Sequence, residues 1–200
     1  MWLLQERDTK MCAAARQQST SKSSMQGTKK KKPSHFFNSF FFEKMFDDED
    51  FLQYLYSAVK RWTKAVRVTK GNVFLLDKMV VPVNVSASHW CLCVAFVQQK
   101  RIQFYDSTGR TGFRFMEGLK QYFKDEAKKY EGQGDVSEFG HLLDVDAWEL
   151  VSTQDGTPQQ TNGADSGVFS CMFANYVSAD LELRFSAQDM PTFRMKITHD

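Results

Sequence analysis

A block of β-branched and aliphatic residues between Val73 and Tyr105 commits this chain to a fold with a buried sheet. The runs Val73 to Pro82 and His89 to Val97 have the composition of strands, and Arg101 to Tyr105 continues the pattern after a short turn. Apolar residues occupy both alternating positions through most of the first two runs. We therefore expect a β-hairpin or meander that is buried on both faces.

Apolar residues recur at helical spacing on both sides of this block. The sequence predicts helices at Phe36 to Met45, Phe51 to Val68, Phe113 to Tyr130, Gly167 to Ser178 and Pro191 to Ile197, with a further strand at Trp148 to Val151. Strands flanked by helices define the α+β class, with a central mixed or antiparallel sheet. Residues 1–200 suffice for one such domain and are predicted to form a single domain.

The stretch from Ser19 to Ser34 is rich in Ser, Thr and Lys and contains consecutive lysines from Lys29 to Lys32. Such a composition predicts an exposed loop. The lysine run is also compatible with a nuclear-localisation signal, although solvated loop charge is the favoured interpretation. Nuclear or nucleocytoplasmic residence is therefore an expectation from this lysine run.

Net charge and cysteine content indicate which partners and which cellular compartment to expect. A formal net charge of +2 favours neither nucleic acid nor a membrane surface as a partner. Cys91 and Cys93 alternate with Leu92, a pattern typical of buried thiols in a reducing compartment. No His or Cys cluster has zinc spacing, so the sequence predicts neither a metal nor a cofactor. Without a secretory signal or a membrane-length apolar run, the chain is predicted to be intracellular and soluble.

Chemically active side chains stand at the ends of the predicted elements. His89 begins one strand and Asp106 follows the next, 17 residues later, so adjacent antiparallel strands can bring them within hydrogen-bonding distance. Ser166 opens a helix, where the macrodipole stabilises an anionic nucleophile and backbone amides can bind an oxyanion. Gln160, six residues upstream, could add its side-chain amide to that oxyanion site.

Three motifs resemble those of the sentrin/SUMO-specific, ubiquitin-like-specific cysteine proteases. They are His-Trp at 89–90, Tyr-Asp-Ser at 105–107, and Gln-x-Asn-Gly-x-Asp-Ser-Gly-x-Phe at 160–169, where the family has cysteine in place of the serine. Segments 37–42, 59–64 and 190–194 match the family as well. The resemblance runs from about Phe36 to the C-terminus. It implies a papain-like fold of clan CE, the adenain/ubiquitin-like-protease type of cysteine protease.

The resemblance also implies a role for each matching residue. His89 corresponds to the general base, Asp106 to its orienting partner, Gln160 to the oxyanion-hole donor and position 166 to the nucleophile. Trp90 resembles the tryptophan that covers a narrow tunnel for the substrate's Gly-Gly tail. The other implied substrate-binding residues are Asn162, Gly163, Lys60, Arg61 and Lys64. SUMO and SUMO-conjugated proteins are the implied partners of a monomeric enzyme.

The chain departs from the family pattern in three places. Ser166 replaces the cysteine, and an alcohol is far harder to ionise than a thiol, so we expect little or no activity. The chain begins after a Trp-Leu-Asn-Asp-type segment that forms the other tunnel wall in the family, and it ends inside the expected terminal helix. The loop from Glu131 to Leu143 is longer than usual. We expect both truncations to weaken stability and binding.

Several residues also have ordinary structural interpretations. Asp165 could cap the helix that follows it. The basic residues Lys60, Arg61, Lys64 and Arg67 could form a solvated helix face instead of contacting an acidic surface of SUMO. Cys171 is favoured as a buried thiol over a substitute nucleophile. The three histidines without an evident partner are predicted to lie on the surface or in loops: His35, His141 and His199.

Three functions fit these observations. The first is a SUMO isopeptidase and precursor-processing protease, disabled by Ser166. The second is a natural pseudoprotease that holds SUMO or its conjugates without cleaving them. The third is a protease of the same fold that acts on another ubiquitin-like modifier, or an acyltransferase with the same triad. Fold alone does not separate them.

Overall fold

The computed structural model describes residues 32–46 and 53–199, and within them a five-stranded mixed sheet. Its strands lie side by side in chain order: β1 (His35–Phe36), β2 (Lys78–Val85), β3 (His89–Phe96), β4 (Arg101–Tyr105) and β5 (Glu149–Val151). Strands β2, β3 and β4 form an antiparallel meander, and the two short outer strands pair with it in parallel. The α+β class with a mixed sheet is therefore confirmed.

Helices cover both faces of this sheet. They are α1 (Phe40–Met45), α2 (Tyr56–Val59), α3 (Phe113–Ala127), α4 (Ser166–Ser178) and α5 (Met190–His199). On one face, Cys91, Cys93 and Phe104 pack in a core that includes buried residues of α1 and α3. On the other face, Leu92 and Tyr105 pack in a core that includes the aromatic side of α4. The meander is thus buried on both faces, as its composition predicts.

Phenylalanine supplies much of the core between the sheet, α1 and α3. Phe41 and Phe42 of α1 are fully buried, and their rings stand edge-on to Tyr122 and Phe115 of α3. The ring of Phe104 in β4 stacks on Phe115 from the sheet side. Such aromatic contacts add to the hydrophobic term and fix the position of α3 against the strands.

The predicted helix from Phe51 to Val68 is wrong in extent. Residues 51 and 52 lie outside the described part of the chain, and α2 ends at Val59, after which 3-10 turns span Trp62–Ala65 and Arg67–Thr69. The prediction of a helix from Phe36 is also wrong at its start, since Phe36 belongs to β1 and the helix begins at Phe40.

The predicted strand from Val73 begins too early. Val73–Leu75 forms a 3-10 turn, because the Asn72 side chain accepts a hydrogen bond from the Phe74 backbone N–H at 2.9 Å and caps it. The strand starts at Lys78 and continues to Val85.

The predicted exposed loop from Ser19 to Ser34 is wrong at its end; residues 19–31 lie outside the described part. Ser34 is fully buried, and His35, predicted to be a surface or loop residue, is 8% exposed. His35 pairs with Met79 in the parallel β1–β2 ladder and stands edge-on to the Phe37 ring. Burial lowers the pKa of His35 from 6.5 to about 4, because the interior disfavours the charged imidazolium.

Among the described residues, no helix combines the length and the apolar character that a membrane crossing requires.

Candidate active site

His89 and Asp106 meet where the meander ends. His89 opens β3, Asp106 directly follows β4, and the antiparallel register pairs Leu92 with Tyr105. Because strand side chains alternate, this register points His89 and Asp106 to the same face of the sheet. His89 Nε2 lies 2.9 Å from Asp106 Oδ1, and the two residues are 9% and 0% exposed. The predicted pairing is therefore present in the fold.

Asp106 receives hydrogen bonds on both carboxylate oxygens. Oδ1 accepts from the Thr108 backbone N–H at 2.6 Å and from the Thr108 hydroxyl at 2.7 Å, in addition to its contact with His89. Oδ2 accepts from the Cys91 thiol at 3.3 Å. Burial acts to raise the pKa of Asp106, but the hydrogen bonds from Thr108, His89 and Cys91 outweigh burial and lower it. Asp106 is thus a charged carboxylate at neutral pH.

The contact through Nε2 determines which imidazole nitrogen is available for proton transfer. A charged Asp106 favours a proton on Nε2 of His89, which leaves Nδ1 as the basic nitrogen of the neutral ring. His89 can then accept a proton at Nδ1 while Asp106 stabilises the imidazolium that forms.

Ser166 is the first residue of α4 and is 3% exposed. Its Oγ accepts a hydrogen bond from the Trp90 backbone N–H at 3.3 Å, which brings the start of α4 to the start of β3. Within the described residues, no hydrogen bond joins Ser166 to His89. The position carries the positive end of the dipole of a 13-residue helix, the environment that stabilises a thiolate.

The turn before Ser166 is held by its own side chains. Asn162 Oδ1 accepts from the backbone N–H groups of Ala164 and Asp165, at 2.9 and 3.1 Å. The Asp165 carboxylate accepts from Asn162 Nδ2 at 2.7 Å and from Arg194 of α5 at 2.6 Å. Asp165 occupies the N-cap position of α4 without a side-chain capping bond, so its predicted capping role is wrong. Its carboxylate is engaged by Asn162 and Arg194 instead.

Gln160 lies between this turn and the end of β4. Its backbone N–H donates to the Ser107 carbonyl at 2.9 Å, and its side-chain Oε1 accepts from the Ser107 hydroxyl at 2.6 Å. Its Nε2 donates to the Asn162 carbonyl at 2.6 Å. A primary amide has two N–H donors, and one of them has no hydrogen-bond acceptor among the described residues. Gln160 is therefore anchored next to Asp106 through Ser107, and its predicted role as an oxyanion donor stays a prediction.

The other predicted site residues differ in their distance from Ser166 and in their exposure. Trp90 is half-buried beside the start of α4, and a Cβ atom added to Gly167 would lie 3.5 Å from Trp90 Cδ1. Gly163 is exposed, and its Cβ position has no neighbour within 4 Å. Lys60, Arg61 and Lys64 are exposed around the end of α2, and in the described part of the chain no hydrogen bond links them to His89, Asp106 or Ser166.

Sequence reasoning missed the contacts of Cys91 and Thr108 with Asp106. It correctly predicted a buried thiol at Cys91, but the thiol also donates to Asp106, and burial together with the Asp106 charge raises the pKa of Cys91. The signal was the period of two along β3, which places Cys91 on the same face as His89. Only the strand register shows that Asp106 lies on that face as well.

Comparisons with known proteins agree with this geometry. The model of the Ulp1 protease family, C-terminal catalytic domain, matches residues 6–200. Sentrin-specific protease 2 from Homo sapiens is 36% identical over 143 residues, which are 71% of this chain and 22% of that protein. Ubiquitin-like-specific protease 1 from Saccharomyces cerevisiae is 31% identical over 148 residues, which are 72% of this chain and 21% of that protein.

Solved structures match the fold. The X-ray structure of the C-terminal Ulp1 protease domain in complex with Smt3, the yeast ortholog of SUMO, has a TM-score of 0.62 and 28% identity over 80% of this chain and 64% of that one. A structure of SUMO protease Ulp1 with its catalytic cysteine oxidised to a sulfenic acid has a TM-score of 0.62 and 30% identity, over 83% of this chain and 67% of that one.

A mixed sheet with a buried His–Asp pair beside a helix N-terminus is the architecture of a papain-like cysteine protease domain. This chain belongs to the Ulp1 protease family, as the motifs at 89–90, 105–107 and 160–169 imply. It spans about a fifth of the length of the curated relatives described above, 22% and 21% respectively.

Proposed function

We propose that this chain is the catalytic unit of a SUMO-specific isopeptidase and precursor-processing protease that cleaves after Gly-Gly, and that Ser166 leaves it inactive or nearly so. The observation that carries this proposal is the buried His89–Asp106 pair at 2.9 Å, next to the strand residue whose N–H binds Ser166 Oγ. The substrate class is supported by the similarity to a sentrin-specific protease and to a Ulp1 domain in complex with the yeast ortholog of SUMO.

The chemistry proposed for a cysteine at position 166 has two steps. A thiolate, stabilised by the α4 dipole, attacks the carbonyl carbon after Gly-Gly, and the imidazolium of His89 gives its proton to the leaving amine. Water then attacks the acyl-enzyme with His89 as general base, which releases the carboxylate and restores the thiol. In both steps the negative oxygen would be stabilised by the amides at the start of α4 and by the side-chain amide of Gln160.

Serine at position 166 removes the first requirement of this chemistry. The hydroxyl stays protonated at neutral pH, and its Oγ already accepts the Trp90 N–H. No hydrogen bond joins Ser166 to His89 among the described residues, so the alcohol lacks the base contact that serine proteases use. We expect the rate to lie about 10³-fold or more below that of the cysteine form.

Substrate binding is proposed to use the surface around Trp90. Its half-buried ring lies against the start of α4, where it would cover an extended Gly-Gly tail. The turn at Asn162 and Gly163 would contact the tail from the other side, and Lys60, Arg61 and Lys64 would meet acidic residues of SUMO. A monomer, the absence of nucleic-acid and membrane partners, and nuclear or nucleocytoplasmic residence remain predictions.

The experiment is a binding titration of the Ser166 chain with SUMO ending in Gly-Gly and with SUMO lacking both glycines. We expect saturable binding that requires the glycines. In parallel, Ser166→Cys should cleave a SUMO precursor, whereas Ser170→Cys, one turn further along α4, should not. Failure of both binding and cleavage with SUMO, alongside activity on another ubiquitin-like modifier, would overturn the substrate assignment.

A natural pseudoprotease is the second candidate, and the hydrogen bond that Ser166 accepts from Trp90 favours it. In that case serine is the native residue, and its hydroxyl would occupy the end of the tunnel that the family resemblance implies. The Ser166 form would then bind SUMO–Gly-Gly at least as tightly as Ser166→Cys treated with a thiol-blocking reagent, and cysteine would not restore cleavage.

A further inference from the structure

We propose that His89, Cys91 and Asp106 form a binding site for Zn²⁺ that competes with the catalytic arrangement. One nitrogen, one sulfur and one carboxylate oxygen from these residues all lie within 4.8 Å of one another. Imidazole nitrogen, thiolate sulfur and carboxylate oxygen are each ligands that Zn²⁺ accepts in proteins. Metal binding requires no substrate, so its test is independent of the proposed protease function.

The site escapes motif searches because its ligands come from two strands. His89 and Cys91 are two residues apart on β3 and share a face, while Asp106 reaches that face from the end of β4. Sequence spacing of His and Cys gave no zinc signal, which is why no metal was predicted. The strand register creates the cluster.

Little movement would be needed to admit the ion. Tetrahedral Zn²⁺ with bonds of about 2.0–2.3 Å separates its ligand atoms by roughly 3.3–3.6 Å. Cys91 Sγ and Asp106 Oδ2 are already 3.3 Å apart, and His89 Nε2 is 2.9 Å from Asp106 Oδ1. Because the three ligand atoms already lie within 4.8 Å of one another, side-chain shifts of about 1 Å would bring them to these separations.

The two oxygens of Asp106 are suited to different tasks. Oδ1 is held by the backbone N–H and the hydroxyl of Thr108, at 2.6 and 2.7 Å. Among the described residues, Oδ2 accepts a hydrogen bond only from the Cys91 thiol, whose proton the metal would displace. Oδ2 can therefore become a ligand while Thr108 keeps the carboxylate in place, as an outer hydrogen bond does in established zinc sites.

Charge balance favours occupation of so buried a site. The three residues are 9%, 1% and 0% exposed. On binding, the Cys91 S–H bond breaks and its proton leaves to water, while the Nε2 proton of neutral His89 moves to Nδ1. No electrons are transferred. The thiolate and the carboxylate then neutralise the Zn²⁺ charge, so the complex as a whole carries no buried net charge.

Occupation would disable the His–Asp pair whatever residue stands at position 166. With Nε2 bound to the metal and Nδ1 protonated, His89 can no longer accept a proton from a nucleophile. Ser166 makes the chain well suited to the test, because a nucleophilic cysteine, the usual target of Zn²⁺ in cysteine proteases, is absent from that position.

The experiment is a titration of the Ser166 chain with Co²⁺ as a spectroscopic substitute, followed by displacement with Zn²⁺. We expect one equivalent of Co²⁺ to produce visible d–d bands and a thiolate-to-cobalt charge-transfer band, both abolished by Zn²⁺. Cys91→Ser and Asp106→Asn should weaken Co²⁺ binding at least about tenfold. Cys12→Ser and Cys171→Ser, singly and together, should leave the bands unchanged.

Folding of each variant is checked by near-ultraviolet circular dichroism. If one of the two ligand variants, Cys91→Ser or Asp106→Asn, fails to fold, the other still tests the site. Bands that persist in folded Cys91→Ser, or that vanish in the Cys12→Ser/Cys171→Ser variant, would place the thiolate ligand elsewhere and overturn the proposal. Absence of a charge-transfer band at saturating Co²⁺ would overturn it as well.

Discussion

The backbone N–H of Trp90 donates a hydrogen bond to Ser166 Oγ at 3.3 Å, across a sequence separation of 76 residues. The same strand brings His89 to Asp106, so one end of β3 fixes the general-base candidate and touches the nucleophile position. A further bond, from the Ser170 hydroxyl to the Cys91 carbonyl at 3.0 Å, holds α4 against β3 one turn later. The β3–α4 contact therefore holds the two halves of the site together.

The first prediction concerns Asp106 in the cysteine form. In a Ser166→Cys background, Asp106→Asn should reduce kcat by about 10³–10⁴-fold, because an amide fails to hold the productive imidazole tautomer or to stabilise the imidazolium. The rate of SUMO precursor cleavage measures this, with KM expected to change little.

Asp155→Asn is the matched control, since Asp155 is exposed and has no hydrogen bond to the His89–Asp106 pair. Its kcat should stay within a factor of two of the parent, as an approximate bound for a surface substitution. Equal losses in the two variants would show that Asp106 has no specific role in turnover.

The second prediction concerns the turn that leads from Asp106 into α3. Gly112 has φ +62°, and a Cβ atom there would overlap the ring of Phe104. Gly112→Ala should lower the free energy of unfolding by about 3 kcal/mol or more, from backbone strain and overpacking together. Urea unfolding measures the difference.

Gly156→Ala separates the two causes. Gly156 has φ +85° but open space around its Cβ position, so this variant incurs the backbone strain without the clash. It should cost only about 1 kcal/mol. Similar losses at the two glycines would mean that the packing of Phe104 leaves room for a methyl group at residue 112.

The catalytic motifs and the meander could be predicted because their signals are local. Strands β3 and β4 are rich in apolar residues over five or more positions, His89 begins β3, and Asp106 directly follows β4. The helix boundaries near residues 56–69 could not be predicted in the same way. Val59, Thr63 and Val66 keep one buried side at spacings of four and three, which an α-helix and a series of 3-10 turns satisfy equally well.

Contacts that depend on strand register also escape the sequence. The bond from Cys91 to Asp106 requires that Leu92 face Tyr105, and a slip of one residue would remove it. The engagement of Asp165 by Arg194 joins the α4 turn to the last helix, and nothing in the local pattern at either residue indicates the other.

The third prediction concerns a buried hydroxyl in the core. Tyr122 is fully buried, and its hydroxyl oxygen has no hydrogen-bond partner among the described residues. Tyr122→Phe should therefore raise the free energy of unfolding by about 1 kcal/mol, because it removes a desolvated polar group without creating a cavity. Thermal unfolding at neutral pH measures the change.

Tyr56→Phe is the contrasting variant. The Tyr56 hydroxyl donates to the buried Glu126 carboxylate at 2.7 Å, so its removal should lower the free energy of unfolding by about 1–2 kcal/mol. Destabilisation by both substitutions would indicate that the Tyr122 hydroxyl has a partner, such as a buried water.

The last prediction concerns pH and His35. The folded-state pKa of about 4 lies below the ordinary value of 6.5, so protons bind the unfolded chain first as the pH falls. The stability associated with neutral His35 is fully present above pH 6.5 and is lost as the pH falls from there towards 4. The loss should reach roughly 3 kcal/mol, at about 1.4 kcal/mol per pH unit.

His35→Leu should remove this contribution to the slope of unfolding free energy against pH, because leucine fills much of the same buried space without a titrating group. Burial raises the pKa of Glu126, so protonation of Glu126 stabilises the folded state as the pH falls, opposite to His35. The dependence of stability on pH must therefore be compared between His35→Leu and the parent chain. His141→Gln is the control, since His141 is exposed and its replacement should leave the slope intact. Urea unfolding at intervals from pH 7 to pH 4 gives the slopes, and an unchanged slope in His35→Leu would mean that β1 opens before His35 is protonated.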